Sequence, residues 1–189
     1  MIKTTVFWEK YFKELKAIDS INILFIGKDP YPKGPNGIPF CKDNIEDLRK
    51  PNCSGKYLLY SLGINVDKEI RSPLDIFFDL LKRNKIGFIN ASYFPFKKKE
   101  RTNKKIEYSE SLNSQLFGKS KQIIVAKSAI EILKKYKNYE ELKDNIIEVY
   151  HPDHRNSINQ HKIVRDDWNA IYSKFNGLNI LLEKKINLK

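Results

Sequence analysis

The chain has 189 residues, 41% hydrophobic and 12% aromatic, enough for one globular domain with a sizeable core. No apolar run reaches the roughly 18 residues that span a bilayer, and the first residues, with Lys3, Glu9 and Lys10 around short apolar stretches, hold no signal-peptide core; a cytoplasmic protein, neither membrane-bound nor secreted, is expected. The net charge of +12, from 35 Lys+Arg against 23 Asp+Glu, favours a polyanionic partner such as nucleic acid, or is the lysine coat of a surface without a ligand.

The first element is an apolar strand over residues 21–26. It runs into Gly27-Lys-Asp-Pro-Tyr-Pro-Lys-Gly-Pro-Asn-Gly-Ile-Pro-Phe40, a loop with seven Gly or Pro residues in fourteen positions. Proline presets φ and glycine permits close backbone approach, so the loop is expected to shape a rigid pocket, with Asp29 as its chemical group and Tyr31 and Phe40 as walls. A short helix is expected over 43–50 and irregular loop over 51–66. Residues 73–83 have helical apolar spacing at Leu74, Phe77, Phe78 and Leu81, and 86–89 read as a second strand. Further helices are expected over 108–117 and 128–136, with strands over 122–126 and 146–150. A last helix is expected over 162–182, on the spacing of Ile163, Val164, Trp168, Ile171, Tyr172 and Phe175, with Gly177 as a break. The order β-α-β-α-β-α-β predicts an α/β domain with a four-stranded parallel sheet and right-handed crossovers.

In open α/β sheets the ligand crevice lies outside the carboxyl ends of the strands. The first strand ends toward Asp29, the second at Asn90, the third at Lys127 and Ser128, the fourth at His151. Asp29, Asn90 and His151 are therefore expected at one rim. Asn90 offers a donor and an acceptor to the edge of a nucleobase, and Phe40 a stacking face. His151 can donate to an oxygen gaining charge, and Asp29 can stabilise a developing cation or position a water. These are the needs of N-glycosidic cleavage, and they suit a hydrolase or a nucleotide-binding module equally. Cys41 and Cys53 form neither a CxxC pair nor a four-ligand set, so no metal is expected. Cys41 also lacks a neighbouring base that would make it a nucleophile. The basic run Lys97-Lys98-Lys99 with Arg101, Lys104 and Lys105 is either a solvated loop or a phosphate contact.

GKDPYPKGPNGIPF resembles the catalytic loop of family 1 uracil-DNA glycosylases, and is closest to the poxvirus variant, which shares the DPYPK start and the GxPF end. GFINASYF and VYHPDHRN resemble that family's other two motifs, in the same order, over about 130 residues. The resemblance implies a three-layer α/β/α fold and a monofunctional enzyme that excises uracil from single- or double-stranded DNA. By it, Asp29 stabilises the oxocarbenium ion and positions water, Tyr31 blocks the thymine methyl, Phe40 stacks on the extruded base, Asn90 reads its edge and neutral His151 donates to O2 of the leaving uracilate. Lys28 stands where common members have Gln, and either lowers the Asp29 pKa or points to solvent.

Ser128, Asp153, His154 and Arg155 are the DNA-contact candidates. Asp153 replaces a Ser that meets a phosphate in the family, and Arg155 stands where many members insert a Leu into the vacated stack. The Pro- and Ser-rich loop that compresses DNA in family 1 is not evident between Pro51 and Ser61. The resemblance implies a monomer, or a chain that also serves a replication or repair partner, since poxvirus relatives act as processivity components; the replication compartment of a virus host is then an alternative location. A glycosylase for another or modified pyrimidine, a DNA-binding processivity subunit and a plain lysine-rich nucleotide-binding module are the competing functions.

Overall fold

The computed structural model describes residues 6–28, 36–51, 53–94 and 102–150. It begins with a helix that the sequence pattern left unassigned. Trp8, Tyr11, Phe12 and Leu15 recur at helical spacing and form the buried stripe of α1 (Val6–Ala17). The remaining elements are β1 (Ile23–Gly27), α2 (Ile45–Arg49), α3 (Ser54–Ser61), α4 (Pro73–Asn84), β2 (Ile86–Asn90), α5 (Asn103–Phe117), β3 (Ile123–Ala126), α6 (Lys127–Leu133), α7 (Tyr139–Leu142) and β4 (Ile146–Val149).

The four strands form one all-parallel sheet in the order β2-β1-β3-β4, as the alternating pattern predicts. Every residue of β1, β2 and β3 is buried, whereas β4 at the edge is partly exposed. Continuous apolar strands of this kind are those of a parallel sheet covered on both faces. Phe25 of β1 stacks on Phe88 of β2 at 5.4 Å between ring centroids, and Phe77 of α4 lies 4.7 Å from Phe88. Gly87 lets α1 reach the sheet, since a Cβ there would come within 2.7 Å of Leu15 Cδ1. Tyr11 of the same helix accepts the Phe88 N–H at 3.1 Å, satisfying a donor of the edge strand β2.

Three expectations change. The stretch 51–66 is not irregular: α3 lies within it, and its Gly55 seats the helix on the chain at Phe40. The helix expected over 128–136 starts at Lys127, and its α-helical part ends at Leu133. Asn90 is the last residue of β2 itself, paired with Gly27, rather than the first beyond it. The helix expected over 162–182 lies outside the described residues.

Two features aim the strand ends at a common rim. The sheet is all-parallel, so all four carboxyl ends lie on one side. The chain passes from β1 outward to β2 and then back across β1 to β3, which puts the switch point between β1 and β3, where the loop after Gly27 leaves the sheet.

Candidate base-recognition site

The site is built around the ends of β1 and β2. Gly27 and Asn90 are register partners, and pairing continues beyond the strands: Ala91 N donates to Gly27 O at 2.8 Å and Ser92 N to Lys28 O at 3.0 Å. Lys28 therefore enters the loop with its backbone fixed, and is half-buried.

The returning limb of the loop is held by its own chemistry. Asn36 is buried, and its Oδ1 accepts the Ile38 N–H at 3.0 Å, an Asx turn. Its Nδ2 donates to Asp43 Oδ1 at 3.3 Å. Gly37 has φ +74° and packs against Trp8, where a Cβ would come within 2.9 Å of Trp8 Cβ. Phe40 also has positive φ, +65°, a conformation costly for an aromatic residue. Its carbonyl packs against α3 so closely that a Cβ on Gly55 would stand 2.0 Å from Phe40 O. The loop, α1 and α3 thus fix one another.

Asn90 lies at the centre. It is 1% exposed and its Nδ2 donates to Gly37 O at 3.2 Å, while its Oδ1 is buried and accepts no hydrogen bond among the described residues. A Cβ placed on Gly27 would lie 3.3 Å from that Oδ1 and 3.5 Å from Phe40 Cζ. Pro39 Cβ would be nearer still, at 3.1 Å, so the absence of a side chain at Gly27 lets Pro39, the Asn90 amide and the Phe40 ring close over the end of β1. An unpaired buried acceptor costs about 1–3 kcal/mol, and a ligand donor would remove that cost.

The backbone behind Asn90 is held from the other side by a buried polar cluster that the sequence pattern did not single out. Asn113 of α5, fully buried, donates through Nδ2 to Asn90 O at 2.9 Å and to the Tyr136 hydroxyl at 3.0 Å. Tyr136 donates to Ala91 O at 2.6 Å, and the Tyr93 hydroxyl donates to Asn113 Oδ1 at 2.7 Å. Ser109 Oγ, one turn before Asn113, accepts the Tyr93 N–H at 3.2 Å. Burial pushes the Tyr93 and Tyr136 phenols well above the usual tyrosine range, so both stay protonated as donors. A signal was present: Ser109 and Asn113 are polar, four residues apart, and share a helix face with Ile106, Leu116 and Phe117.

The ends of β3 and β4 differ. Lys127 and Ser128 are exposed at the start of α6, which has no side-chain N-cap. Lys127 Nζ stands 3.6 Å from the centroid of the Tyr150 ring, just past β4, in a cation–π contact. Ser128 is therefore on the same rim as Asn90 but on its open half. Cys41 is a buried free thiol that burial pushes far above the usual thiol range, which leaves it protonated and unreactive. Lys105 lies over the Phe94 ring, 5.6 Å from its centroid.

Of the expected site residues, Asn90 and Phe40 come together, Lys28 enters the same loop and Ser128 lies on the neighbouring strand end. Asp29, Tyr31, His151, Asp153, His154 and Arg155 lie outside the described residues, as do Lys97, Lys98, Lys99 and Arg101. Among the described residues no group of three His, Cys, Asp or Glu side chains is placed to hold a metal ion, and no helix is long and apolar enough to cross a membrane. No protein-family model matches the sequence, and no curated protein matches it.

Proposed function

We propose that the chain is a monofunctional uracil-DNA glycosylase: it hydrolyses the N-glycosidic bond of uracil in DNA, leaves an abasic site and needs no cofactor, on a three-layer α/β/α fold of the uracil-DNA glycosylase type. The observation that carries this is the Asn90 carboxamide, buried at the end of β2 with its orientation set by Gly37 and its Oδ1 without a partner among the described residues.

The chemistry follows from the edge of the base. Uracil offers an N3–H donor and an O4 acceptor; cytosine offers an N3 acceptor and an N4 donor. Asn90 Oδ1 accepts from N3–H, and the second Nδ2 hydrogen donates to O4. To read cytosine the amide must rotate, which turns Oδ1 onto the Gly37 carbonyl and sets two acceptors against each other. Losing one buried hydrogen bond in this way costs about 1–3 kcal/mol, roughly ten- to hundredfold in preference. Phe40 provides the ring against which the extruded base lies.

In this proposal Asp29 stabilises the oxocarbenium-like sugar and positions the attacking water, Tyr31 excludes the thymine methyl and His151 donates to uracil O2 as the glycosidic bond breaks. The electron pair leaves on the base, water adds to the sugar carbon and its proton passes to solvent. Extruding the base costs a few kcal/mol, which contacts to phosphates by a chain of net charge +12 offset. Ser128 and Lys127 on the open half of the rim, with His154 and Arg155, are the proposed DNA contacts; Asp153 keeps its carboxylate off the phosphates, and Arg155 fills the vacated stack. The partner is uracil-containing DNA, bound by a monomer.

The test is abasic-site formation on single- and double-stranded oligonucleotides with one central uracil, comparing wild type with Asp29→Asn and His151→Ala. Wild type is expected to cleave, and each variant to lose about a hundredfold or more. A folded wild type that leaves uracil in place would reject uracil as the target, and would direct the search to modified pyrimidines and then to a replication partner.

A further inference from the structure

We infer that Asn113, with the Tyr93 and Tyr136 hydroxyls, is the positioning centre that fixes the Asn90 carboxamide for base selection. The inference rests on the proposed function for its substrate and on the geometry of the described residues for its mechanism.

The cluster is a branched relay of hydrogen bonds. Tyr93 donates to the only oxygen of the Asn113 side chain; the two Asn113 amide hydrogens go to Asn90 O and to Tyr136, and Tyr136 passes its own hydrogen to Ala91 O. The Asn113 amide has one orientation that satisfies all of these contacts. Both outputs of the relay end on consecutive carbonyls, Asn90 and Ala91, at the point where β2 leaves the sheet.

The same short segment is pinned on its N–H side by Gly27 O and Lys28 O. Four hydrogen bonds over three residues therefore hold the backbone from α5 and the Tyr136 segment on one flank and from β1 on the other. The Asn90 side chain adds a fifth to Gly37 O, on a loop seated on Trp8. Trp8 in turn meets Tyr93 edge-on at 5.1 Å, so the side-chain anchor and the backbone anchor rest on one aromatic cluster.

Apolar side chains in the space of Asn113, Tyr93 and Tyr136 would leave the buried carbonyls of Asn90 and Ala91 without donors. A fully satisfied buried network contributes a unique geometry instead. The geometry it fixes here is that of the carbonyl belonging to the base-reading residue.

The experiment compares Asn113→Leu and Tyr136→Phe with wild type and with Leu112→Ala, which loosens α5 at a half-buried position outside the relay. Two readouts are taken: the Asn90 side-chain amide signals with hydrogen exchange at Ala91 and Ser92, and uracil excision with its inhibition by free uracil. The expected result is shifted Asn90 signals, exchange at Ala91 and Ser92 at least tenfold faster, and tenfold weaker excision and inhibition in both relay variants; Leu112→Ala changes neither readout. Folded relay variants with wild-type Asn90 signals and exchange would overturn the inference. Should Asn113→Leu fail to fold, Tyr136→Phe, which removes one oxygen, decides alone. A wild type that excises no uracil would defeat the proposed function, while the amide signals and exchange would still decide whether the relay positions Asn90.

Discussion

The two halves of the strand-end rim are built differently. At β1 and β2, Asn90 is buried, its backbone is bonded on both flanks and its amide is turned by Gly37. At β3 and β4, Lys127 and Ser128 are exposed, α6 begins without a side-chain cap and Tyr150 offers its ring to a lysine. A group that must tell one heterocycle from another gains from being fixed in a dry site, where an unpaired donor or acceptor is costly. Groups that meet a phosphate chain gain from reach and charge, which vary little with small shifts. The proposed enzyme thus divides recognition between a rigid half for the base and an open half for the backbone.

Substitutions that sort the two halves test this division. Asn90→Leu has the largest expected effect: uracil excision falls about a hundredfold or more, while stability changes by no more than about 1 kcal/mol, because removing an unsatisfied acceptor offsets the lost bond to Gly37 O. Denaturant unfolding beside the abasic-site assay would show this, and a strong loss of stability would instead make Asn90 a structural residue. Gly55→Ala comes next. A methyl 2.0 Å from Phe40 O cannot be accommodated without moving the loop or α3, and about 3 kcal/mol of stability should be lost, read from the urea midpoint.

Tyr136→Phe is expected to cost about 1–2 kcal/mol, since it leaves the Ala91 carbonyl without its donor. It also carries a pH signature. The folded-state phenol titrates above its unfolded value of 10.0 because burial disfavours the phenolate. Its stabilising contribution is whole below pH 10 and is lost as pH rises toward the folded value. Stability measured upward from pH 10 should therefore fall less steeply in Tyr136→Phe than in wild type, with Tyr11 and Tyr93, raised by the same cause, supplying the remaining slope. The smallest effects belong to the open half. Ser128→Ala and Lys127→Ala should change stability by no more than about 0.5 kcal/mol. Lys127→Ala should also lower the salt dependence of DNA binding by about one unit of slope, measured by fluorescence anisotropy.

The sheet was legible in the sequence because its strands are short β-branched runs that can only be buried, and the ends of those runs pointed to Asn90. The helix α1 was not read: its apolar residues alternate with Lys and Glu in a way that looks scattered until Gly87 and Phe88 are seen to receive Leu15 and Tyr11. The helix α3 could not be read from local preference: Gly55 disfavours a helix, and its reason for being there is the Phe40 carbonyl, distant in sequence. Asn113 was hidden similarly. A polar residue on an apolar helix face announces a buried partner without naming it, and the partners come from β2, from the chain after it and from the segment after α6.

The most direct test of the account is to follow the Asn90 side-chain amide and the Phe40 ring by NMR while free uracil, and separately free cytosine, is added. The account predicts that uracil shifts both sets of signals in a saturable way and that cytosine shifts neither. Cytosine acting as uracil does, or uracil leaving Asn90 and Phe40 unmoved, would contradict it.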